Sequence, residues 1–453
     1  MFQDVGLRDQ AAAVASGETT AAALVDATQG RIRAFNETLN AICADGGDQV
    51  DTELAVVGNG PLYGVPIGVK DMFSLPWYAP MNGTSVAFPE PGKGVSGVSE
   101  RLRKAGALGL FVTNMHQLGI GTTGRISAHG PNLNPWDPSR CAGGSSGGSA
   151  SSVAARMVAA AVGTDAAGSI RIPASYCGIT GLKPTFGAVP VEGYTGSYSS
   201  MGVIGPMARD ADDCRVLGEA LLDRPLVTEL PSDLTCGIPA GYLWDDVEPA
   251  VAAACRDAMN TLVAGGVRVT DVRVPNLEHS ALAAIVATGV ERLPQLTADW
   301  MRDVFPTLAP GIRGIIKSRL GVSANVDRRV TLFRSLLRRQ CAELFQSVDV
   351  LVWPTVPTTA PALDRPLVDL PSGRVSSDIA NLRHVGLANL TGIPAITVPC
   401  GVDEAGLPIG LSFHAAWGKE DLLLAIARQF ELLSGNMYSD NCPMRATQVE
   451  GAK

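Results

Sequence analysis

Two glycine- and serine-rich segments, 143–149 and 163–169, are the part of the sequence best suited to carry chemistry. Glycine is used where the backbone must approach a ligand closely or adopt unusual dihedral angles. Because only residues 150–162 separate the two segments, we expect their backbone groups to converge on one site. The hydroxyl groups that could act there belong to Ser145, Ser146, Ser149 and Ser169.

Other uses of glycine-rich segments fit this sequence less well. Gly/Ser segments often serve as linkers, but the stretch between these two reads SVAARMVAAAV, which is apolar and predicts a packed region. A phosphate-binding loop of the GxxxxGK[ST] type needs a lysine after its glycines, and neither segment has one. The dinucleotide-binding pattern GxGxxG is also missing here. The segments therefore do not predict a nucleotide site.

Three motifs follow one another in the chain around these serines. GVPIGVKDMF contains Lys70, GGSSGGSA contains Ser145, and GTDAAGSIRIPA contains Ser169. Their residue types and order resemble the amidase signature hydrolases, and the separations of 75 and 24 residues are those expected for that family. Further matches extend from about residue 15 to 435, and they are TNMHQLGIG, GPNLNPWDPSR, CGITGLKPTFG, LVWPTVPTTAP, NLTGIPAITVPCG and GLPIGLSF.

The resemblance implies a role for each of the three residues. Ser169 would attack the substrate carbonyl, Ser145 would bridge Ser169 to Lys70, and the Gly144–Ser145 peptide bond would be cis. A lysine can act as a base only when uncharged, and its ordinary pKa is about 10.4. Burial without a carboxylate partner lowers the pKa of a lysine by up to about 3–5 units. We therefore expect Lys70 to be buried and neutral.

The resemblance also implies an oxyanion hole in the second serine segment. Its donors would be the backbone N–H groups of Ala166, Ala167, Gly168 and Ser169. The family usually has GTDTGGSIR at this place, and the two alanines keep their N–H groups, so the hole is retained. Asp165 and Arg171 are expected to form a charge pair that folds this loop.

Substrate contacts are predicted from the motif TNMHQLGIG. By their position in the family, Gly119 and Ile120 would face the acyl group, which predicts a small and apolar contact there. Gln117 stands where an acidic residue is common.

The elements that must position these groups alternate between helices and short apolar strands. Val65, Ile67 and Val69 alternate like a half-buried strand, which predicts Lys70 at a strand end. Further predicted strands are ALGLFVT, VRVTDVRV, VDVLVWP and AITVPCGV, and predicted helices follow Thr19, begin at Glu100 and span 249–264 and 420–433. This alternation indicates an α/β protein with a mixed, mostly internal sheet. The resemblance implies that residues 1–453 form one amidase-signature domain, with a central mixed β-sheet surrounded by α-helices.

Residues 280–345 are helix-rich and are predicted to form a variable part of the substrate pocket. Large apolar residues at helical spacing more often form core than pocket, but in families of this kind the middle region commonly supplies part of the cavity. The residues concerned are Trp300, Met301, Phe305, Ile312, Ile315, Ile316 and Phe333.

The composition limits the classes of partner. With 453 residues, 46% hydrophobic and 18% charged, the chain resembles a globular protein with a large core. A net charge of −8 without a Lys/Arg-rich block makes nucleic acid and membranes unexpected partners. The N-terminus lacks the features of a signal peptide, so we expect a cytoplasmic protein. The histidines form no HExxH motif and the cysteines no CxxC motif, so neither a metal nor an organic cofactor is expected.

The resemblance to the amidase signature hydrolases implies hydrolysis of a linear carboxylic amide through an acyl-enzyme on Ser169. Apolar or aryl amides and anilides are the expected substrates, and carbamates and esters are close alternatives because the same nucleophile serves any acyl centre with a leaving group. The expected partner is one such small molecule, bound by a monomer or a homodimer.

Two alternatives remain at this point. The first is the glutaminase subunit of a tRNA-dependent amidotransferase, which shares all three motifs. Glutamine would need fixed partners for its ammonium and carboxylate groups, and no motif supplies both. The second is a non-catalytic binding protein on the same fold, which the retention of Lys70, Ser145 and Ser169 disfavours.

Overall fold

The computed structural model describes residues 4–87, 95–196, 200–291, 296–435 and 442–444. Its strands are β1 (Ile42–Asp45), β2 (Pro66–Lys70), β3 (Leu108–Thr113), β4 (Ala160–Asp165), β5 (Thr180–Lys183), β6 (Val203–Ala208), β7 (Thr235–Pro239), β8 (Arg268–Val272), β9 (Val350–Pro354), β10 (Leu367–Leu370), β11 (Gly373–Ser376), β12 (Ala395–Val402) and β13 (Pro408–Ala415).

Helices separate most of these strands in the sequence. In chain order they are α1 (Leu7–Ala15), α2 (Ala21–Leu39), α3 (Val50–Leu54), α4 (Gly97–Lys104), α5 (Gly147–Ala154), α6 (Arg171–Cys177), α7 (Ala211–Leu222), α8 (Tyr242–Asp245), α9 (Pro249–Ala264), α10 (Ser280–Val290), α11 (Ala298–Asp303), α12 (Pro310–Arg319), α13 (Ala324–Leu344), α14 (Ser377–Thr391) and α15 (Glu420–Ser434).

Eleven of the strands form one mixed sheet in the order β1-β3-β2-β4-β6-β5-β12-β13-β9-β7-β8. β10 and β11 pair separately as an antiparallel hairpin. The central strands are buried on both faces, since α5 packs on β2 and β4 while α6, α9 and α15 pack on β12 and β13. Burial on both faces explains why these strands are short apolar runs. The predicted α/β fold with a central mixed sheet is confirmed.

The sheet brings the lysine motif and the second serine segment together. β2 and β4 are parallel neighbours, with Gly68 opposite Ala161 and Val69 opposite Val162. The carboxyl ends of parallel strands lie at the same edge of a sheet. Lys70, the last residue of β2, therefore lies beside the end of β4.

The glycines of the first serine segment permit a close approach of backbones. A β-carbon on Gly148 would lie 2.3 Å from the carbonyl oxygen of Asn114 and 2.4 Å from that of Ala41. The Gly148 N–H donates a 3.0 Å hydrogen bond to the same Asn114 oxygen. Because no side chain fits there, glycine lets α5 begin directly against the segments that follow α2 and β3.

Most predicted elements agree with the structure, with small shifts at their ends. The helix at Pro249–Ala264 has the predicted bounds, and α15 extends one residue beyond its predicted end. The helix predicted after Thr19 is capped by Thr20, whose side chain accepts the N–H of Ala23. α4 begins at Gly97, before the predicted Glu100, because Ser96 caps it.

VRVTDVRV forms the strand β8, but its environment differs from the central strands. β8 is at the edge of the sheet and pairs with β7 alone, so the residues Arg268–Val272 are mostly exposed. No helix within the described ranges has both the length and the apolarity needed to cross a lipid bilayer.

Candidate active site

Lys70 and three hydroxyl groups form a buried polar centre at the carboxyl ends of β2 and β4. The Lys70 Nζ atom lies 2.7 Å from Ser145 Oγ, 2.8 Å from Ser146 Oγ and 2.8 Å from Thr164 Oγ1. All four side chains are buried. We call these four residues the lysine–hydroxyl centre.

Burial determines the protonation of Lys70. Burial away from water disfavours the charged ammonium and lowers the pKa of Lys70 to about 7. The negative charges of Asp165 and Asp71 raise this pKa, but they offset the effect of burial only in part. Within the described part of the chain, Lys70 forms no ion pair with a carboxylate. A large fraction of Lys70 is therefore uncharged at neutral pH, in agreement with the expectation from the sequence.

The directions of the hydrogen bonds indicate where the Lys70 lone pair points. Ser146 Oγ can donate its proton to the carbonyl oxygen of Thr164 at 3.3 Å, and Thr164 Oγ1 can donate to Met72 Sδ at 3.7 Å. Both hydroxyls then accept the two N–H bonds of a neutral lysine. The lone pair of Nζ remains for the proton of Ser145.

The backbone before and after the Cα atom of Ser145 has a defined geometry in the structure. The Gly144–Ser145 peptide bond is cis, which confirms the prediction from the family resemblance. The Ser145 carbonyl oxygen accepts the N–H of His116 at 3.0 Å. These contacts place the Ser145 hydroxyl between Lys70 and the loop that contains Gly119, where a β-carbon would lie 3.5 Å from Ser145 Oγ.

Ser169 lies in the loop between β4 and α6, next to the lysine–hydroxyl centre. Its carbonyl oxygen accepts the N–H of Ser146 at 3.2 Å. The residue is 8% exposed, and its hydroxyl forms no hydrogen bond with another described residue. Ser169 is thus positioned through its backbone while its hydroxyl is left for another partner.

Asp165 and Arg171 shape this loop through a buried ion pair. Arg171 Nε and Nη2 donate to the two carboxylate oxygens of Asp165 at 3.0 and 3.1 Å, and Asn389 Nδ2 donates to the same carboxylate at 2.8 Å. Burial alone would raise the pKa of Asp165, but Arg171 holds it well below its usual range. The expected charge pair is present, and it stays ionised.

The N–H groups predicted for the oxyanion hole fall into two sets. Those of Ala166, Ala167 and Ser169 donate to no other described residue and remain available. The N–H group of Gly168 donates to Asp165 Oδ1 at 2.7 Å. It is therefore not available to an oxyanion, which differs from the prediction. Gly168 has φ +91°, and a β-carbon there would lie 2.6 Å from Val385 Cγ2. Glycine is therefore required at this position by the backbone turn and by the close packing of Val385.

The predicted substrate-contact residues join a separate apolar cluster. Ile120 and its neighbour Leu118 flank Gly119 and pack against helices from the middle region. We call this group the apolar cluster, and its buried members are Leu118, Ile120, Trp300, Val304, Leu308, Ile312 and Ile316. Gln117 connects the loop of Gly119 to the middle region, since its Oε1 atom accepts the N–H of Ala309 at 2.9 Å.

The other large residues predicted for the pocket lie at different depths. Met301 and Phe305 are partly buried against the apolar cluster. Ile315 is 38% exposed, and Phe333 packs against the main core of the protein.

Sequence reasoning missed two residues that the structure brings to the site. Thr164 lies in the GTDAAGSIRIPA motif, but its contact with Lys70 depends on the pairing of β2 with β4, which the local sequence does not show. Asn389 is remote in sequence, 224 residues from Asp165, and no local pattern marked it.

Comparison with known proteins agrees with this geometry. A sequence model of the amidase family matches residues 19–424. The chain belongs to the amidase family. It is therefore a hydrolase that acts on the C–N bonds of amides.

Individual members of the family are similar over nearly the whole chain. The glutamyl-tRNA(Gln) amidotransferase A subunit of Exiguobacterium sp. is 33% identical over 450 residues, covering 91% of this chain and 92% of the relative. A solved amidase structure is 31% identical with a TM-score of 0.89, covering 94% and 99% of the two chains.

A further solved structure is 28% identical with a TM-score of 0.86, covering 95% and 99% of the two chains. It is described as a vestigial protein complex that reveals the origins of an s-triazine catabolic enzyme.

Proposed function

We propose that this amidase-family chain cleaves its substrate through an acyl-enzyme on Ser169, with Ser145 and Lys70 as the proton relay. The observation that carries the proposal is the hydrogen-bond pattern of Lys70. In the neutral form of Lys70, Ser146 and Thr164 accept its two N–H bonds, which leaves its lone pair for the hydroxyl of Ser145, whose Oγ atom lies 2.7 Å from Nζ. A neutral, buried lysine with this orientation is suited to act as a general base.

In the first half of the reaction, Lys70 takes the proton of Ser145 while Ser145 takes the proton of Ser169. The Ser169 oxygen attacks the amide carbonyl carbon, and the negative charge moves to the carbonyl oxygen. The free N–H groups of Ala166, Ala167 and Ser169 are our candidates to stabilise this oxyanion. The C–N bond then breaks as the relay delivers a proton to the leaving nitrogen.

In the second half, water replaces the amine. The relay removes a proton from the water molecule, whose oxygen attacks the ester carbonyl of the acyl-enzyme. Collapse of the second oxyanion breaks the bond to Ser169 Oγ, which regains its proton. The products are a carboxylic acid and an amine.

For the substrate, we propose a neutral apolar or aryl amide, with anilides and carbamates included. Ile120 belongs to the apolar cluster and lies beside Gly119, at which a β-carbon would be 3.5 Å from Ser145 Oγ. Burial of apolar substrate surface against such a wall contributes about 25 cal/mol per Å². The cluster therefore favours a substrate whose acyl or leaving group is apolar.

Glutamine is the second candidate substrate, and the names of the curated relatives favour it. Several amidotransferase A subunits are 30–33% identical to this chain over more than nine-tenths of its length. In that case the chain would release ammonia from glutamine and would act together with a partner protein. The apolar cluster by itself supplies no partners for the charged ends of glutamine.

A comparison of kcat/KM for glutamine, a p-nitroanilide, an aliphatic amide and an aryl carbamate tests the two candidates. We expect one of the uncharged substrates to exceed glutamine by at least about tenfold, which corresponds to about 1.4 kcal/mol. A preference of similar size for glutamine, or co-purification with a second protein chain, would establish the amidotransferase function instead.

Labelling with a fluorophosphonate tests the chemistry separately from the substrate. We expect one adduct per chain, mapped to Ser169 by mass spectrometry. A protein that binds ligands without catalysis would remain unlabelled, and an adduct on another serine would reject the proposed nucleophile.

A further inference from the structure

A second group of chemically active side chains lies outside the lysine–hydroxyl centre and includes Asp71, the residue that follows Lys70. Cys43 of β1, Asp71 directly after β2, and His129 of a later loop meet at one place. One sulfur, one carboxylate oxygen and one imidazole nitrogen of these residues lie within 4.8 Å of one another. Asp71 is fully buried, and Cys43 and His129 are half-buried, so the group is reached from the protein surface.

We propose that Cys43, Asp71 and His129 form a binding site for a borderline divalent cation, with Zn²⁺ as the preferred ion.

The unpartnered ring nitrogen of His129 points to a ligand, whereas the Cys43 thiol donates a 3.5 Å hydrogen bond to the carbonyl oxygen of Val112. His129 Nε2 is enclosed, and no described residue forms a hydrogen bond with it. A buried polar atom without a partner is destabilising, and we assign this nitrogen as the ligand atom of His129. The loop of His129 is fixed by other atoms, since its backbone N–H donates to Ser127 Oγ and its carbonyl oxygen accepts the amide of Asn40.

Asp71 is oriented by its neighbours and keeps room for an ion. Its Oδ1 atom accepts the hydroxyl of Tyr78 at 2.9 Å and the N–H of Met81 at 2.7 Å. Among the described residues, its Oδ2 atom accepts the N–H of Gly83 alone, at 2.8 Å, which leaves a lone pair of Oδ2 for a ligand. Such outer hydrogen bonds are the usual means of orienting a metal ligand.

The donor set and the charges select the type of ion. A thiolate, an imidazole and a carboxylate suit Zn²⁺, whereas Mg²⁺ and Ca²⁺ prefer sites made of oxygen ligands. Binding would release the thiol proton of Cys43 to solvent, and the two negative ligands would then balance the double charge of the ion.

The distances are compatible with three bonds to one ion. Zinc bonds of about 2.3 Å to sulfur and about 2.0–2.2 Å to nitrogen and oxygen separate tetrahedral ligands by about 3.3–3.7 Å. The three atoms need to close by little more than about 1 Å, which rotation of the half-buried Cys43 and His129 side chains can supply. A water molecule would complete the tetrahedron.

The test uses the untagged, chelator-treated full-length chain and Co²⁺ as a coloured substitute for Zn²⁺. We expect a sulfur-to-cobalt charge-transfer band that saturates at one equivalent of Co²⁺ per chain. Added Zn²⁺ should abolish this band, whereas the same concentration of Mg²⁺ should not. Cys43→Ala should remove the band, and His129→Ala should weaken Co²⁺ binding by more than the about 10–100-fold typical of losing an outer-shell contact. Cys236→Ala and His279→Ala, at sites remote from the group, are the matched controls.

Thermal unfolding supplies a measurement that does not depend on colour. Because a bound ion stabilises the folded state by mass action, Zn²⁺ should raise the Tm of the wild-type chain and of both controls. It should leave the Tm of Cys43→Ala unchanged. Absence of a sulfur-to-cobalt band in the wild-type chain, or its persistence in Cys43→Ala, would overturn the proposal.

Discussion

The lysine–hydroxyl centre and the apolar cluster meet at Gly119 but are built on different principles. In the centre, each atom has a named partner at a hydrogen-bond distance, and the groups come from strands β2 and β4 of the main sheet and from the loop before α5. In the cluster, α11, α12 and their connection contribute apolar side chains that pack without directional bonds. Loss of one hydrogen-bond partner interrupts proton transfer in a relay. Loss of one methyl group from the cluster only changes the shape of an apolar contact surface. We therefore infer that chemistry and substrate choice can be changed separately.

The sharpest test of this difference is Ser169→Ala. In the proposed mechanism the acyl-enzyme forms on Ser169, so kcat should fall by about 10⁴-fold or more. The circular dichroism spectrum and Tm should remain those of the wild type, because the Ser169 hydroxyl forms no bond with a described residue. Turnover close to that of the wild type would mean that the centre has been assigned to the wrong serine.

The second test concerns the base. Lys70→Ala should lower kcat/KM by about 10²–10⁴-fold, the usual contribution of a general base. In the wild type, acid protonates Lys70 and occupies its lone pair, so kcat/KM should fall about tenfold per pH unit below a pKa of about 7. A pH–rate profile on a substrate without ionisable groups measures this limb.

Lys183 is the matched control for Lys70. It is also fully buried, and burial lowers its pKa to about 7, but its Nζ atom donates to the carbonyl oxygen of Pro184 and contacts none of the hydroxyls of the centre. Lys183→Met should keep the acid limb at the same pH. A limb that disappears in Lys183→Met, or a flat profile down to pH 5 in the wild type, would exclude Lys70 as the titrating base.

The third test compares how much a buried ion pair and an exposed ion pair contribute to the free energy of unfolding. Asp165→Asn leaves the Arg171 charge buried without its partner, which should lower the free energy of unfolding by about 3–5 kcal/mol. The change also weakens the acceptor that holds the Gly168 N–H. Asp369→Asn breaks the exposed pair with Arg374 and should have little effect. Denaturant unfolding compares the two variants, and equal losses would contradict the structural role of Asp165.

The smallest effect is expected in the apolar cluster, where it should depend on the substrate. Ile312→Ala opens space beside Ile120 and should lower kcat/KM for an aryl amide by about tenfold while kcat for a small aliphatic amide changes little. Ile315 is on the same helix but is 38% exposed, against 1% for Ile312, so Ile315→Ala is the control. A uniform loss on all substrates would show that chemistry and substrate choice are coupled here.

The residues of the proposed relay carry local signals in the sequence. A short apolar strand ending in a lysine, and glycine-rich turns that hold serines, each appear within ten or so residues of sequence. The cluster around Ile120 was predicted only in part, since helical spacing does not distinguish Ile312, which is buried, from Ile315, which is exposed. The direction in which a helix faces depends on what packs against it.

The sequence by itself determined the family, the α/β architecture and the presence of Lys70, Ser145 and Ser169. Only the tertiary structure decided that Thr164 and Ser146 accept the lysine N–H bonds and that Asp165 occupies the N–H of Gly168. It likewise decided that Cys43, Asp71 and His129, which are 28 and 58 residues apart in sequence, meet at one place. The physical reason is that motifs record what a turn or a strand requires locally, whereas the partner of a hydrogen bond and the burial of a charge depend on segments that only folding brings together.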